Sequence, residues 1–194
     1  MQVVSGLALL LVSLFVTYCA NFYTTLRASN TVTDIILDNL PVVNVDFVFN
    51  EGALIFLGFV VVVVLHEPRR IPFVLKSVAV FYIARSLFMV LTHLAPPSPQ
   101  SYIDTADVLH KISSGDDLFF SAHAGLPFLL AIIFWREKLL KYLFLAATAI
   151  GGTSVLLGHL HYSIDVFSAL FIAFGVLHIS KNMFPKDYLL SGQP

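Results

Sequence analysis

Six stretches of this chain run apolar for close to the length of a bilayer crossing: about residues 3–23, 52–66, 72–94, 121–135, 139–159 and 162–180. A helix needs about 20 mostly apolar residues to cross the hydrocarbon layer. The second and fourth stretches are short of that. Charge is too sparse to coat a soluble domain of this size, since 12% of residues are charged and 58% hydrophobic. These features predict an all-α integral membrane protein with six transmembrane helices, one domain over residues 1–194. The β-branched run Val60 to Val64 would suit a strand in water. In lipid the backbone must close its hydrogen bonds within the segment, and a helix does so for any apolar sequence.

The first stretch reads as a retained span. No basic residue precedes Arg27, and "VTYCAN" places Tyr18 where a cleavage site wants a small residue. Basic residues set the orientation. With six crossings, the two ends and the even loops share one side, and that side holds Arg69, Arg70, Arg136, Lys138, Lys141, Lys181 and Lys186. The other side holds Arg27 and Lys111. Both termini are therefore expected in the cytoplasm, with the long loops 24–51 and 95–120 facing the periplasm, exterior or lumen. A net charge of -1 gives no footprint for nucleic acid. The one cysteine, Cys19, reads as a small apolar helix residue.

This topology brings polar residues to one depth. His161 opens the sixth span at its outer end, His123 opens the fourth, and Arg85 lies in the outer half of the third. His161 and Asp165 are four apart, so a helix puts them on one face. A carboxylate there can hold one imidazole nitrogen and leave the other more basic. Ser121 is placed to cap the helix that carries His123. The amides from Ala122 to Gly125 would suit a phosphate. Arg85 wants an anion: Asp165, Asp117 or a substrate phosphate. Asp116 reads as a solvated loop acid, and Asp117 as a loop acid or a partner for His123. His159, His66, His93, His110 and His178 read as interfacial. His123, His159, His161 and Asp165 are zinc-type ligands, but His-x-His with one distant histidine is a weak metal signal. Two histidines, a carboxylate and an arginine near a helix start suggest phosphoryl chemistry, with one histidine attacking phosphorus and the other protonating the leaving oxygen.

At these residues the chain resembles a known family. "SGDDLFFSAHAG" followed by "GHLHYSIDV" is similar to the signatures of sphingomyelin synthases and their relatives, within the type 2 phosphatidic acid phosphatase superfamily. Asp117 matches the acid of the first signature, Ser121 and His123 the second, and His159 to Asp165 the third. "YIARSLFMVLTHLAPPSP" looks like the family's arginine-bearing span, and "TDIILDNLP", with Asp34, Asp38 and Pro41, like its acidic loop. The likeness covers about residues 30–180. It implies a catalytic triad of His123, His161 and Asp165, with Arg85, Asp117, Ser121 and Ala122 at the substrate. It further implies a histidine nucleophile, no metal and no cofactor. A phosphorylated head group would pass from a phospholipid donor to a lipid alcohol such as ceramide or diacylglycerol, or to water. The chain departs from the pattern in Ala122, where the family has glycine, and in Gly115-Asp116 for Cys-Gly. It also lacks the arginine of the phosphatases' last signature, with Val155 in its place. The absence of that arginine, and of the phosphatases' Lys followed by Arg-Pro, favours the synthase branch over simple phosphatases. The alternatives are a lipid phosphate phosphatase or phospholipase C-like hydrolase, and a transporter or proton relay that uses its histidines without covalent chemistry.

Overall fold

A computed structural model describes residues 2–102 and 119–192. Among these the regular structure is helical: α1 (Gln2–Thr25), α2 (Asp46–Phe49), α3 (Glu51–His66), α4 (Ile71–Leu91), α5 (Ala122–Ile133), α6 (Lys138–Leu157), α7 (Ser163–Met183) and α8 (Pro185–Leu190). Taking Asp46–His66 as one unit, five helices are long and apolar enough to cross a membrane.

The fourth expected span differs. α5 has 12 residues and rises about 18 Å, against a hydrocarbon layer of about 30 Å. It sits inside the bundle rather than on its surface. Leu129, Leu130 and Ala131 are fully buried, and the helix packs on α6 and α7. Neighbouring protein, rather than its own length, shields its backbone from lipid.

α1 packs chiefly on α4. Its buried stripe is small or polar: Gly6, Ser13, Thr17, Ala20, Asn21 and Thr24. Small residues let membrane helices approach where lipid tails would compete with any larger apolar side chain. A Cβ on Gly6 would stand 3.1 Å from Leu75 Cβ, and Thr17 Oγ1 lies 2.9 Å from Ser86 Oγ. Both pairs are 69 residues apart, so the two helices run parallel and in register. The opposite face of α1, with Leu11, Phe15 and Phe22, is exposed.

The centre of the bundle is aromatic, with Phe73, Phe81, Phe120, Phe134 and Phe144 all fully buried. The two ends differ in character. At one end Arg70 pairs with Glu137, and Lys76 Nζ lies 2.5 Å from Asp187 Oδ2. Glu137 is held below its ordinary pKa by the hydrogen bond from Arg70, against the opposing effect of burial. At the other end backbone bonds join distant loops: Val43 N to Leu157 O at 2.8 Å, and Ser101 N to Gly158 O at 2.9 Å. The candidate site lies at this second end.

Candidate functional site

α7 begins with a cluster of hydrogen bonds that fixes His161 and Asp165. Tyr162 is the N-cap residue. Its backbone N–H donates to Asp165 Oδ2 at 2.9 Å, the return half of a capping box. The same oxygen lies 3.6 Å from His161 Nδ1. Asp165 is fully buried and His161 is 5% exposed. The pair expected from the spacing of four is therefore present, at ion-pair rather than hydrogen-bond distance. Asp165 Oδ1 is buried with no hydrogen-bond partner. Nδ1 is the ring nitrogen that faces the carboxylate.

The dyad is tied to two other helices. Asp165 O accepts from Ser121 N at 3.1 Å, which joins the α7 start to the α5 start. Arg85 Nε on α4 donates to Phe120 O at 2.9 Å, and its Nη1 lies 3.4 Å from Met89 Sδ. A continuous path thus runs from Arg85 through Phe120 and Ser121 to Asp165 and His161. The structure brings these sequence-selected residues to one end of the bundle, on three helices.

His123 lies in the first turn of α5, and its ring stacks on Phe49 with centroids 4.2 Å apart. Two further features set its backbone. Pro127 stands four residues on inside the helix, so the bond that would normally reach the His123 carbonyl has no donor. Gly151 of α6 packs against that carbonyl, and a Cβ there would be 2.3 Å from His123 O. Gly125 likewise lets α5 cross α4 and α7, since a Cβ would meet Phe81 Cζ at 2.8 Å and Ala169 Cβ at 3.2 Å.

Three expectations change. Ser121 occupies the N-cap position of α5, but its side chain makes no cap hydrogen bond, and its hydroxyl is buried without a partner. The Ser121 side chain therefore does not cap the turn that starts with Ala122. His159 is buried among protein rather than exposed. The turn between α6 and α7 is not extended there, because His159 has φ 51°, and the side chain is buried with Nε2 unpartnered. His93 is half-buried, edge-on to Tyr23 at 5.5 Å, rather than simply interfacial. Asp116, Asp117 and His110 lie outside the described residues. Among the described residues no group of three His, Cys, Asp or Glu side chains is placed to hold a metal.

Sequence reasoning gave Asp34 only a place in an acidic loop. Its carboxylate reaches the start of α7, where Oδ2 accepts from Ser163 N at 2.6 Å, while Oδ1 accepts from Ile36 N at 2.9 Å and Leu37 N at 3.2 Å. Burial disfavours its charge, but these amides outweigh that and hold the carboxyl below its ordinary pKa. Tyr162 adds a second tie. Its hydroxyl donates to Ala95 O at 2.9 Å and accepts from Val32 N at 3.2 Å.

Residues 115–182 match a family model described as PAP2 superfamily C-terminal. The matched segment contains Ser121, Ala122, His123, His161 and Asp165. No curated protein and no solved structure matches the chain. The match supports the type 2 phosphatidic acid phosphatase superfamily, whose members are phosphatase-type enzymes, and it supports an enzyme of lipid phosphatase or phosphotransferase type. With the long apolar helices it also supports an integral membrane protein.

Proposed function

We propose that the chain is a membrane phospholipid head-group phosphotransferase. His161 Nε2 attacks the phosphorus of a phospholipid, the bond from phosphorus to the diacylglycerol oxygen breaks, and a phosphohistidine-type intermediate carries the head group. His123 protonates the leaving oxygen. It then takes the proton from the hydroxyl of a lipid alcohol, ceramide or diacylglycerol, which attacks the intermediate. Asp165 orients His161 and stabilises its positive charge. Arg85 and the first turn of α5, with Ser121 and Ala122, neutralise the phosphate.

The observation that carries this reading is the path of hydrogen bonds from Arg85 to Asp165, completed by the Asp165–His161 ion-pair contact. A second observation supports the phosphate position. At the start of α7 the amides of Tyr162 and Ser163 are already taken by Asp165 and Asp34, whereas the Ser121 side chain makes no cap hydrogen bond at α5. This favours the α5 start for the anion. In the same reading the chain crosses the bilayer six times, with α5 as a short buried crossing. Both termini lie in the cytoplasm beside the Arg70–Glu137 and Lys76–Asp187 pairs, and the histidines face the other side. The basic residues of the loops support that orientation.

The superfamily match favours a second reading, in which water replaces the lipid alcohol and the protein is a lipid phosphatase or phospholipase C-like hydrolase. One experiment separates the two. Purified wild type and His161→Ala are given phosphatidylcholine, phosphatidylethanolamine or phosphatidic acid, each with and without ceramide or diacylglycerol, and products are followed by mass spectrometry. Head-group transfer that needs both the acceptor and His161 is the expected result. Inorganic phosphate from phosphatidic acid alone would move the protein to the hydrolase reading, and full transfer by His161→Ala would remove the histidine from the mechanism.

A further inference from the structure

Asp34 and Ser163 are 129 residues apart in the chain, yet their contact is among the shortest at this end of the bundle. Ser163 is the first residue of α7, two before Asp165 and two after His161. Three amides of the turn that carries the dyad have defined acceptors. Tyr162 N goes to Asp165 Oδ2, Ser163 N to Asp34 Oδ2, and Asp165 N to Tyr162 O at 3.0 Å. Asp34 is itself held in place. Its second oxygen accepts from Ile36 and Leu37, which close the short 3-10 turn at Leu37–Asn39. The carboxylate is thus pre-aimed by its own loop.

The consequence concerns Asp165. An uncapped first-turn amide seeks the nearest acceptor. Without Asp34, the Ser163 N–H would compete for the Asp165 carboxylate, whose Oδ1 has no partner. Rotation of that carboxylate to serve Ser163 would take Oδ2 away from His161 Nδ1. We infer that Asp34 is a positioning residue: by accepting the Ser163 amide it leaves the Asp165 carboxylate turned to His161, so the loop after α1 sets the geometry of the histidine–aspartate dyad. The inference rests on the proposed function for its effect on rate, but not for its effect on the turn itself.

Asp34→Asn is the informative variant. Its side-chain oxygen can keep accepting from Ile36 and Leu37, while its NH2 group cannot accept from Ser163. Asp34→Ala removes both. Each is purified in micelles beside wild type, with the donor and acceptor pair that wild type turns over. Amide hydrogen exchange across residues 160–166 and the thermal transition are measured on the same samples. Small misplacements of a reacting group cost on the order of 10²-fold in rate. Asp34→Asn is therefore expected to lower kcat about 10- to 100-fold, leave the donor KM within about threefold, and speed exchange at Tyr162 to Asp165. Asp34→Ala should show the same kcat loss with a lower thermal transition.

A kcat loss that matches the unfolded fraction would reduce Asp34 to a structural residue and overturn the inference, as would a rise in KM at unchanged kcat. Should wild type turn over none of the lipids, the proposed function fails and the exchange result alone decides. Faster exchange confined to the α7 start upholds the positioning of the turn, and unchanged exchange overturns it.

Discussion

Gly151→Ala tests how the bundle places His123. Pro127 denies the His123 carbonyl its helical partner, and α6 fills the space with a residue that has no side chain. An alanine Cβ would sit 2.3 Å from His123 O and 3.0 Å from His123 C. Opening the first gap to an ordinary 3.4 Å requires the α5 start and α6 to separate by about 1.1 Å. The α5 side cannot yield freely, because the His123 ring is stacked on Phe49. Overpacking of this kind costs about 1–3 kcal/mol, and displacing an acid–base group by about 1 Å costs roughly 10² in rate. Gly175→Ala in α7 and Gly58→Ala in α3 are the controls, since a Cβ at either meets nothing within 4 Å. Each should leave activity unchanged and raise stability by about 0.5–1 kcal/mol, the helical advantage of alanine over glycine. Turnover and thermal unfolding are measured in the same micelles. Wild-type turnover by a folded Gly151→Ala protein would refute the role given to His123, and an unchanged unfolding temperature would refute the close approach itself.

Asp165→Asn keeps an oxygen for the Tyr162 amide but loses the charge beside His161; initial rates at matched folded protein should fall by about 10²–10⁴ with a much smaller change in stability. Lys76→Ala strands the buried Asp187 carboxylate, which already has one unpartnered oxygen, and should lower stability in thermal unfolding by about 3–5 kcal/mol. The double variant Lys76→Met with Asp187→Leu should recover most of that loss. For Asp34 the pKa is lowered in the folded state from 3.8, so its bonds contribute fully above that value and are lost only as pH falls through the depressed one. Between about pH 5 and 8, Asp34→Asn should therefore scale the rate without changing the shape of the pH–rate curve; a shifted acid limb would contradict this.

Much of this architecture is legible in the sequence because lipid leaves the backbone one economical solution. The apolar stretches at about 72–94 and 139–159 appear as Ile71–Leu91 and Lys138–Leu157. Pro72 fits the first turn of its helix, where an amide donor is not needed. The spacing of His161 and Asp165 points to their pairing, and the structure pairs them, although His161 lies just before the N-cap of α7 rather than on the helix. α5 was harder. Apolarity alone does not distinguish a helix shielded by neighbours from one that must reach both faces, so 121–135, though short, reads as a span. Ser121 was placed correctly at a helix start, but residue type does not show where a hydroxyl points. His159 departs for a backbone reason, a positive φ that closes the turn between α6 and α7. The contacts of Asp34 with Ser163, Phe49 with His123 and Gly151 with His123 join residues far apart in the chain, and no local pattern encodes them. For Gly151 a signal existed: Gly151-Gly152 inside a span, and Pro127 four residues after a helix-start histidine.

The most direct test of the account is the covalent step at His161. Wild type, mixed with a phospholipid donor in micelles without acceptor and quenched within a turnover, is digested at neutral to basic pH and mapped by mass spectrometry. An acid-labile head-group phosphate on His161, absent from His161→Ala and discharged when ceramide or diacylglycerol is added, is the predicted result. Acceptor-dependent transfer at full rate with the adduct on another residue would contradict the account.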